Sequence, residues 1–138
     1  MAEAPIDWGA LARAAAAARA HAYAPYSGFA IGAAALFDDG TVTSGANVEN
    51  ASYGLTVCAE RNAVTAGVLA GHGRLRAVLV LAAGAHPVPP CGACRQVLVE
   101  FADAQLPIRS RTTEGVEVTH TLGDLQPDAF GPEWLSPR

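Results

Sequence analysis

The hydrophobic pattern of the first segment is that of a helix with one apolar face. An alanine-rich stretch begins after Asp7 and runs to about Ala22. Trp8, Leu11 and Ala15 recur within it at the spacing of one helical face. Asp7 stands where its side chain can cap the first turn. The pattern therefore predicts an amphipathic helix at the start of the chain.

The rest of the chain alternates between strand and helix patterns. The run from Ala77 to Ala83 is continuously apolar, which is typical of a central strand covered on both faces. The predicted elements are strands over 29–37 and 41–46, a helix over 58–70, a strand over 76–83, a helix over 91–102, strands over 107–111 and 116–120, and a tail with a short turn of helix. This alternation predicts an α/β fold, a three-layer α/β/α sandwich around one mixed sheet of about five strands. A chain of 138 residues is the size of one domain, so we expect a single domain over 1–138.

The charge of the chain argues against a polynucleotide partner. The formal net charge is -4, and the nine basic residues, all arginine, are scattered from Arg13 to Arg138. Proteins that grip a phosphate backbone usually carry a basic stripe. The longest apolar run falls far short of the ~20 residues that a helix needs to cross a bilayer, and the N-terminus lacks the pattern of a secretory signal. We expect a cytoplasmic protein that binds neither nucleic acid nor membrane.

The three cysteines of the chain are candidate metal ligands. An odd number of cysteines in a reducing compartment argues against a disulfide framework and favours metal binding or catalysis. Cys91 and Cys94 lie three residues apart in the first turn of a predicted helix, and Cys58 begins another. The positive end of a helix dipole favours the thiolate, which is the form that binds metal. Three cysteine ligands leave the fourth position of a tetrahedral zinc ion open, as in catalytic sites.

Glu60 and Arg61, which follow the first cysteine, complete a possible mechanism. A carboxylate beside a water bound by zinc can take its proton and later return it. Zinc lowers the pKa of that water from ~15.7 towards ~7. Three thiolates give the zinc centre a net negative charge, which weakens it as a Lewis acid. We expect the helix N-termini and hydrogen bonds from Arg61 to withdraw electron density from the sulfurs.

These motifs resemble those of the small homotetrameric zinc-dependent cytidine deaminases. The Cys58-Ala59-Glu60 and Pro90-Cys91-Gly92-Ala93-Cys94 segments have the pattern of the zinc deaminase superfamily. The Asn47-Val48-Glu49-Asn50 segment narrows the resemblance to nucleoside deaminases. Residues 24–29, Ala-Pro-Tyr-Ser-Gly-Phe, match as well, and the resemblance extends over most of the chain.

The resemblance implies an activity and a set of site residues. The reaction would be hydrolytic deamination of cytidine and 2′-deoxycytidine to uridine and 2′-deoxyuridine with release of ammonia, in pyrimidine salvage. Each subunit would bind one Zn²⁺ through its three cysteines, and Glu60 would be the catalytic residue. Asn47 and Glu49 would hydrogen-bond the ribose, and Phe29 would pack on the cytosine ring. The full set of implied substrate contacts is Phe29, Asn47, Glu49 and Ala59, with Tyr53 and Phe130 contributed by neighbouring subunits of a homotetramer.

Other functions remain open at this stage. A deaminase of a cytosine-bearing antibiotic such as blasticidin S would share the zinc motif, and so would a polynucleotide editor, which the acidic balance disfavours. A structural zinc or redox dithiol module is the alternative from a different class, but it would normally close the site with a fourth ligand. The four histidines, at positions 21, 72, 86 and 120, lie outside any metal-binding spacing.

Several of the candidate residues also have simpler interpretations. Aromatic residues such as Phe29 and Phe130 are usually part of a core. Asn47 and Glu49 are common in turns, and Arg61 could be a solvated helix residue.

Overall fold

The predicted order of helices and strands is confirmed by the computed structural model, which describes residues 4–135. Its elements are α1 (Trp8–Arg19), β1 (Ile31–Phe37), β2 (Val42–Ala46), α2 (Ala59–Leu69), β3 (Leu75–Ala82), α3 (Gly92–Phe101), β4 (Pro107–Thr112), β5 (Glu117–Thr121) and α4 (Leu122–Leu125), with short 3-10 turns at Tyr53–Leu55 and Pro132–Leu135. The predicted tail extends to Arg138, so its last three residues lie outside the described part. Within residues 4–135, every helix is too short or too polar to cross a lipid bilayer.

The five strands form one mixed sheet in the order β2-β1-β3-β4-β5. β3 and β4 are parallel, whereas the other three neighbouring pairs are antiparallel. A parallel pair needs a crossover connection, and α3 lies in that connection. The mixed, five-stranded sheet predicted from the alternation of elements is therefore confirmed.

Helices cover both faces of the sheet. Alternate residues of β1 point to opposite sides, so Ala34 and Leu36 pack with Leu11 of α1, while Ala33 and Ala35 belong to the core beneath α2 and α3. All four of these β1 residues are buried, as expected of a strand that is covered on both faces. The predicted three-layer α/β/α sandwich is confirmed.

The first helix begins where the sequence predicts and ends slightly earlier. Asp7 caps α1, since its carboxylate accepts a hydrogen bond of 3.0 Å from the Ala10 N–H. The helix ends at Arg19 rather than near residue 22. Beyond the helix, the Tyr23 N–H donates to the carbonyl of Asn47, at 2.9 Å. This long-range bond ties the segment after α1 to the loop that follows β2.

Candidate active site

The three cysteines meet where two helices begin side by side on one face of the sheet. Cys58 is the N-cap of α2 and Cys91 is the N-cap of α3, with Cys94 in the first turn of α3. The Sγ atoms of Cys58 and Cys91 are 3.8 Å apart, and those of Cys91 and Cys94 are 3.5 Å apart. All three sulfurs lie within 4.8 Å of one another, so one small ion could contact them all.

The geometry of the sulfurs fits zinc. A tetrahedral ion with Zn–S bonds of ~2.3 Å places its sulfur ligands about 3.8 Å apart, close to the separations in this cluster. Among residues 4–135, it is the only group of three or more cysteine, histidine or acidic side chains arranged to hold a metal. Three protein donors leave one tetrahedral position for water or substrate.

Hydrogen bonds around Cys58 favour its thiolate form. Hydrogen bonding with Cys94 and then with Arg61 lowers the pKa of Cys58 to about 5. The Nη2 of Arg61 donates to the Cys58 Sγ at 3.4 Å and to the carbonyl of Thr56 at 3.3 Å. Arg61 therefore lies where it can withdraw electron density from a metal-bound sulfur.

Glu60 is a buried carboxyl group beside the cysteines. It lies in the first turn of α2 with only 5% of its surface exposed. Burial, assisted by the negative charge of Cys58, raises the pKa of Glu60, because desolvation disfavours the ionised form. A carboxyl group that gains a proton readily and adjoins a metal site is suited to general acid–base work.

A cavity of about 190 Å³ adjoins Cys58, Cys91 and Glu60. Its lining joins these three chemical groups to residues from the loops after α1, β2 and β3 and from the sheet. These other lining residues are Ser27, Phe29, Ile31, Asn47, Glu49, Thr56, Val80, Val88 and Pro89. The tertiary structure thus brings Phe29, Asn47 and Glu49 to the same pocket as Glu60 and two of the cysteines, Cys58 and Cys91.

The side-chain amide of Asn47 hydrogen-bonds to two backbone groups of the pocket wall. Its Oδ1 accepts from the Ile31 N–H at 2.9 Å, and its Nδ2 donates to the carbonyl of Phe29 at 2.8 Å. An amide has two N–H donors and two acceptor lone pairs, so, counting the described part of the chain, these bonds leave one of each for a ligand. The side chain is 6% exposed, which restricts such a ligand to the pocket.

Glu49 is held by a turn of the loop after α1. Its Oε1 accepts from the backbone N–H groups of Tyr26 and Ser27, at 2.9 and 3.1 Å, and its Oε2 accepts from the Ser27 hydroxyl. These bonds, led by the one from the Ser27 hydroxyl, hold the pKa of Glu49 below its usual range. Glu49 is therefore an anionic acceptor at neutral pH. No role was predicted for Ser27, although a Pro-Tyr-Ser-Gly segment is typical of a turn with free N–H groups.

Three implied substrate contacts lie outside the pocket of this chain. Tyr53 is in the 3-10 turn, is 73% exposed, and its ring centroid is 5.7 Å from that of Tyr26. Phe130 is 58% exposed and is held through its carbonyl, which accepts from the Gln96 Nε2 at 2.6 Å. Ala59 is fully buried in the core. Tyr53 and Phe130 are thus available to a second subunit but do not line this cavity.

None of the four histidines, all of which lie in the described part of the chain, joins the cysteine cluster. The Nδ1 of His72 instead lies 2.5 Å from a carboxylate oxygen of Asp39. This pair connects the segment after α2 to the turn between β1 and β2.

Comparisons with known proteins identify the family. Residues 8–109 match the sequence profile described as the cytidine and deoxycytidylate deaminase zinc-binding region. The chain is 49% identical over 130 residues to the cytidine deaminase of Mycobacterium tuberculosis, with 91% of each chain covered. It is 47% identical over 116 residues to that of Halalkalibacterium halodurans, with 84% of this chain and 88% of the relative covered.

The fold agrees with the sequence comparison. The crystal structure of cytidine deaminase from Burkholderia pseudomallei superposes with a TM-score of 0.86 at 46% identity, covering 91% of this chain and 100% of the other. The cytidine deaminase structure from Mycobacterium tuberculosis gives a TM-score of 0.80. With its three-cysteine zinc site, its mixed sheet and these relatives, the chain belongs to the cytidine deaminase family.

Proposed function

We propose that this protein is a zinc-dependent enzyme that hydrolyses cytidine and 2′-deoxycytidine to uridine and 2′-deoxyuridine with release of ammonia. The observation that carries the proposal is the buried Glu60 beside three clustered cysteines, in one pocket with Asn47 and Glu49. The relatives described above are named cytidine deaminases, which favours the plain nucleoside over an antibiotic such as blasticidin S. The chain has three cysteines, so no fourth thiolate would close the site as in a structural module.

In this mechanism Glu60 moves two protons. When bound, zinc supplies the Lewis acidity that makes water nucleophilic at neutral pH. Glu60 takes the first proton that this water loses and delivers it to N3 of the cytosine ring. After the water oxygen has bonded to C4, Glu60 takes the remaining proton of that oxygen and passes it to the exocyclic amine. The bond from C4 to that nitrogen then breaks, and the products are the uracil nucleoside and ammonia.

The pocket residues other than Glu60 and the cysteines would orient the substrate. The anionic Glu49 would accept a hydrogen bond from a ribose hydroxyl, and the remaining donor and acceptor of Asn47 would bind the sugar as well. Phe29 would pack against the base. Its position in the pocket wall, with its carbonyl held by Asn47, supports that role.

The site is proposed to be completed by neighbouring subunits in a homotetramer. The exposure of Tyr53 and Phe130 in the single chain supports their contribution to an adjoining pocket. A cytoplasmic location is part of the proposal, because a reducing compartment keeps the three cysteines available as ligands. Pyrimidine salvage is the metabolic process to which this reaction would contribute.

The proposal is tested by separating metal binding from turnover. Ammonia release from cytidine and bound zinc are measured for the wild-type protein, Glu60→Ala and Cys58→Ala. Glu60→Ala should keep its zinc and lose turnover by at least about 10²-fold, as expected when a general acid–base group is removed. Cys58→Ala should lose both zinc and turnover.

Glu100→Gln provides the control, since Glu100 is an exposed glutamate on α3, and its turnover should equal that of the wild type. Near-normal turnover in Glu60→Ala would rule out the mechanism. If the protein turned over blasticidin S but not cytidine, the proposed substrate would be wrong and the antibiotic would take its place.

A further inference from the structure

The Ser27 hydroxyl lies in a relay between the main chain of Phe29 and the carboxylate of Glu49. The Phe29 N–H donates to the Ser27 Oγ at 3.0 Å, and that Oγ donates in turn to the Oε2 of Glu49. A serine hydroxyl has one proton and two acceptor lone pairs. Because Phe29 occupies an acceptor position, the Ser27 proton remains for the ionised oxygen beside it. Ser27 thus connects two residues of the pocket wall.

The turn that contains Ser27 makes this relay possible. Gly28 adopts a left-handed conformation with φ of 67°, which glycine reaches without steric cost. Its N–H donates to the carbonyl of Ala24 at 2.9 Å. The chain therefore reverses direction at Gly28, and this brings the Phe29 N–H within hydrogen-bonding distance of the Ser27 hydroxyl.

Backbone donors alone leave the Glu49 carboxylate free to rotate. The N–H groups of Tyr26 and Ser27 both bind the same oxygen, Oε1. Two bonds to one oxygen fix its position but not the rotation of the carboxylate about its terminal torsion, which is broad for glutamate. Within residues 4–135, only the Ser27 hydroxyl binds the other oxygen, Oε2. It therefore sets the plane of the group.

The hydrogen bonds also limit what Glu49 can accept from a ligand. An ionised carboxylate offers about four lone-pair positions, and three are occupied by the two N–H groups and the hydroxyl. Among the residues that the structure describes, no fourth donor binds this carboxylate, so the free position is on Oε2, the oxygen that Ser27 orients. Ser27 and Glu49 both line the pocket that contains Cys58 and Glu60, so this position is accessible to a bound molecule.

We infer that Ser27 is a positioning residue, which turns the free acceptor of Glu49 towards a single sugar hydroxyl of the substrate. This inference rests on the proposed function, since the hydroxyl belongs to the nucleoside. Ser27 itself acts through Glu49, and it contributes to substrate binding rather than to the proton transfers of Glu60.

The first test compares variants at Ser27 by steady-state kinetics on cytidine with the zinc-loaded protein. Ser27→Ala should raise KM about tenfold, because a hydrogen bond to a charged group no longer orients the acceptor, and should change kcat by less than about twofold. Ser27→Thr keeps the hydroxyl and should restore KM to near the wild-type value. A Ser27→Thr variant as impaired as Ser27→Ala would overturn the inference.

Thr119→Ala is the matched control. The Thr119 hydroxyl accepts from the charged Arg109 Nε at 2.9 Å on the edge strand β5, two strands away from β3 of the pocket. Its removal also deletes one hydroxyl bond to a charged group, and KM should stay unchanged. Thermal unfolding of each variant checks that it is folded. If Ser27→Ala is unstable, Ser27→Cys takes its place: cysteine is close to serine in size but is a weak donor, so this variant should also raise KM.

A second substrate tests whether Ser27 acts through a sugar hydroxyl. 2′,3′-Dideoxycytidine lacks both ring hydroxyls, so Ser27→Ala should raise KM for it by less than about twofold, against about tenfold for cytidine. Equal losses on the two substrates would overturn the inference, because Ser27 would then act on something other than the sugar contact of Glu49.

A measurement without substrate separates this inference from the proposed function. NMR titration of carbon-labelled glutamate should show a higher pKa for Glu49 in Ser27→Ala than in the wild type, since the hydroxyl bond stabilises the carboxylate. An unchanged Glu49 pKa would refute the positioning role. Absence of turnover in the wild-type protein would instead refute the proposed function, whatever the Glu49 titration shows.

Discussion

At the scale of single residues, two glutamates of one pocket have opposite electrostatic environments. Burial raises the pKa of Glu60, whereas hydrogen bonds from Ser27 and Tyr26 lower the pKa of Glu49. A carboxyl group that is readily protonated suits proton transfer, and one that stays ionised suits binding. The local surroundings therefore suit two chemically equivalent side chains to different tasks.

Arg61 provides a prediction at this scale. Arg61→Ala removes the donor at 3.4 Å from the Cys58 sulfur, so more negative charge stays on the thiolate and the metal centre becomes a weaker Lewis acid. We expect kcat to fall about 10-fold to 100-fold, the range for removal of an outer-shell partner, with part of the zinc retained. Steady-state kinetics and metal analysis measure the two quantities.

The control for this variant is Arg74→Ala. Arg74 is an exposed arginine, 3.9 Å from Asp103, outside the lining of the pocket, and its loss should change neither kinetics nor zinc content. The role of Arg61 would be wrong if Arg61→Ala also left both unchanged.

At the scale of elements, glycines let α2 lie close to the sheet. A Cβ at Gly45 of β2 would be 2.5 Å from the backbone nitrogen of Ala63, and one at Gly67 of α2 would be 2.1 Å from the ring of Phe37. Both distances are shorter than real side chains allow. Since Cys58 and Glu60 lie at the start of α2, this close packing also sets their height above the sheet.

Gly67→Ala tests the close approach. The added methyl group must displace the buried Phe37 ring, and overpacking of this kind costs about 1–3 kcal/mol of the free energy of unfolding. Alanine regains up to about 1 kcal/mol through its higher helix propensity, so a net loss is expected. Urea unfolding measures it. Gly73→Ala, where no atom lies within 4 Å of the new Cβ, should be near neutral, and a Gly67→Ala protein as stable as Gly73→Ala would contradict the packing argument.

At the scale of the whole molecule, exposed aromatic and apolar side chains gather near the pocket. Tyr26 and Tyr53 line a second cavity that shares Ser27, Glu49 and Thr56 with the pocket beside Cys58 and Glu60. Exposed apolar surface of this kind marks interaction sites. It supports the proposal that neighbouring copies of the chain complete the site.

Sedimentation of the purified protein tests this assembly. We expect one species of about four times the 14.1 kDa mass of the chain. Tyr53→Ala should weaken the assembly or lower activity, because truncation of a central aromatic residue of an interface often costs about 2 kcal/mol or more. Val116→Ala, at an exposed apolar position beside β5, is the control. A fully active monomer at assay concentration would refute the shared site.

Much of the fold followed from local patterns, but the neighbours of each strand did not. The apolar run of β3 indicated a strand covered on both faces, and Asp7 indicated the start of α1. Periodicity does not determine which strands pair, so the central place of β3 was predicted but its neighbours, β1 and β4, were not. The helix was expected to run to about residue 22 but ends at Arg19, because the next N–H groups, of His21 and Ala22, bond three residues back instead of four.

The sequence by itself determined the zinc chemistry, because helical geometry places residues three apart on one side of a turn and thus brings Cys91 and Cys94 together. Only the tertiary structure brought Cys58, 33 residues before Cys91, to within 3.8 Å of it. The same is true of the bond between Ser27 and Glu49, 22 residues apart. Such contacts depend on how α2, α3 and the loops pack on the sheet, since the spacing of residues along a chain does not specify the distance between its separate elements.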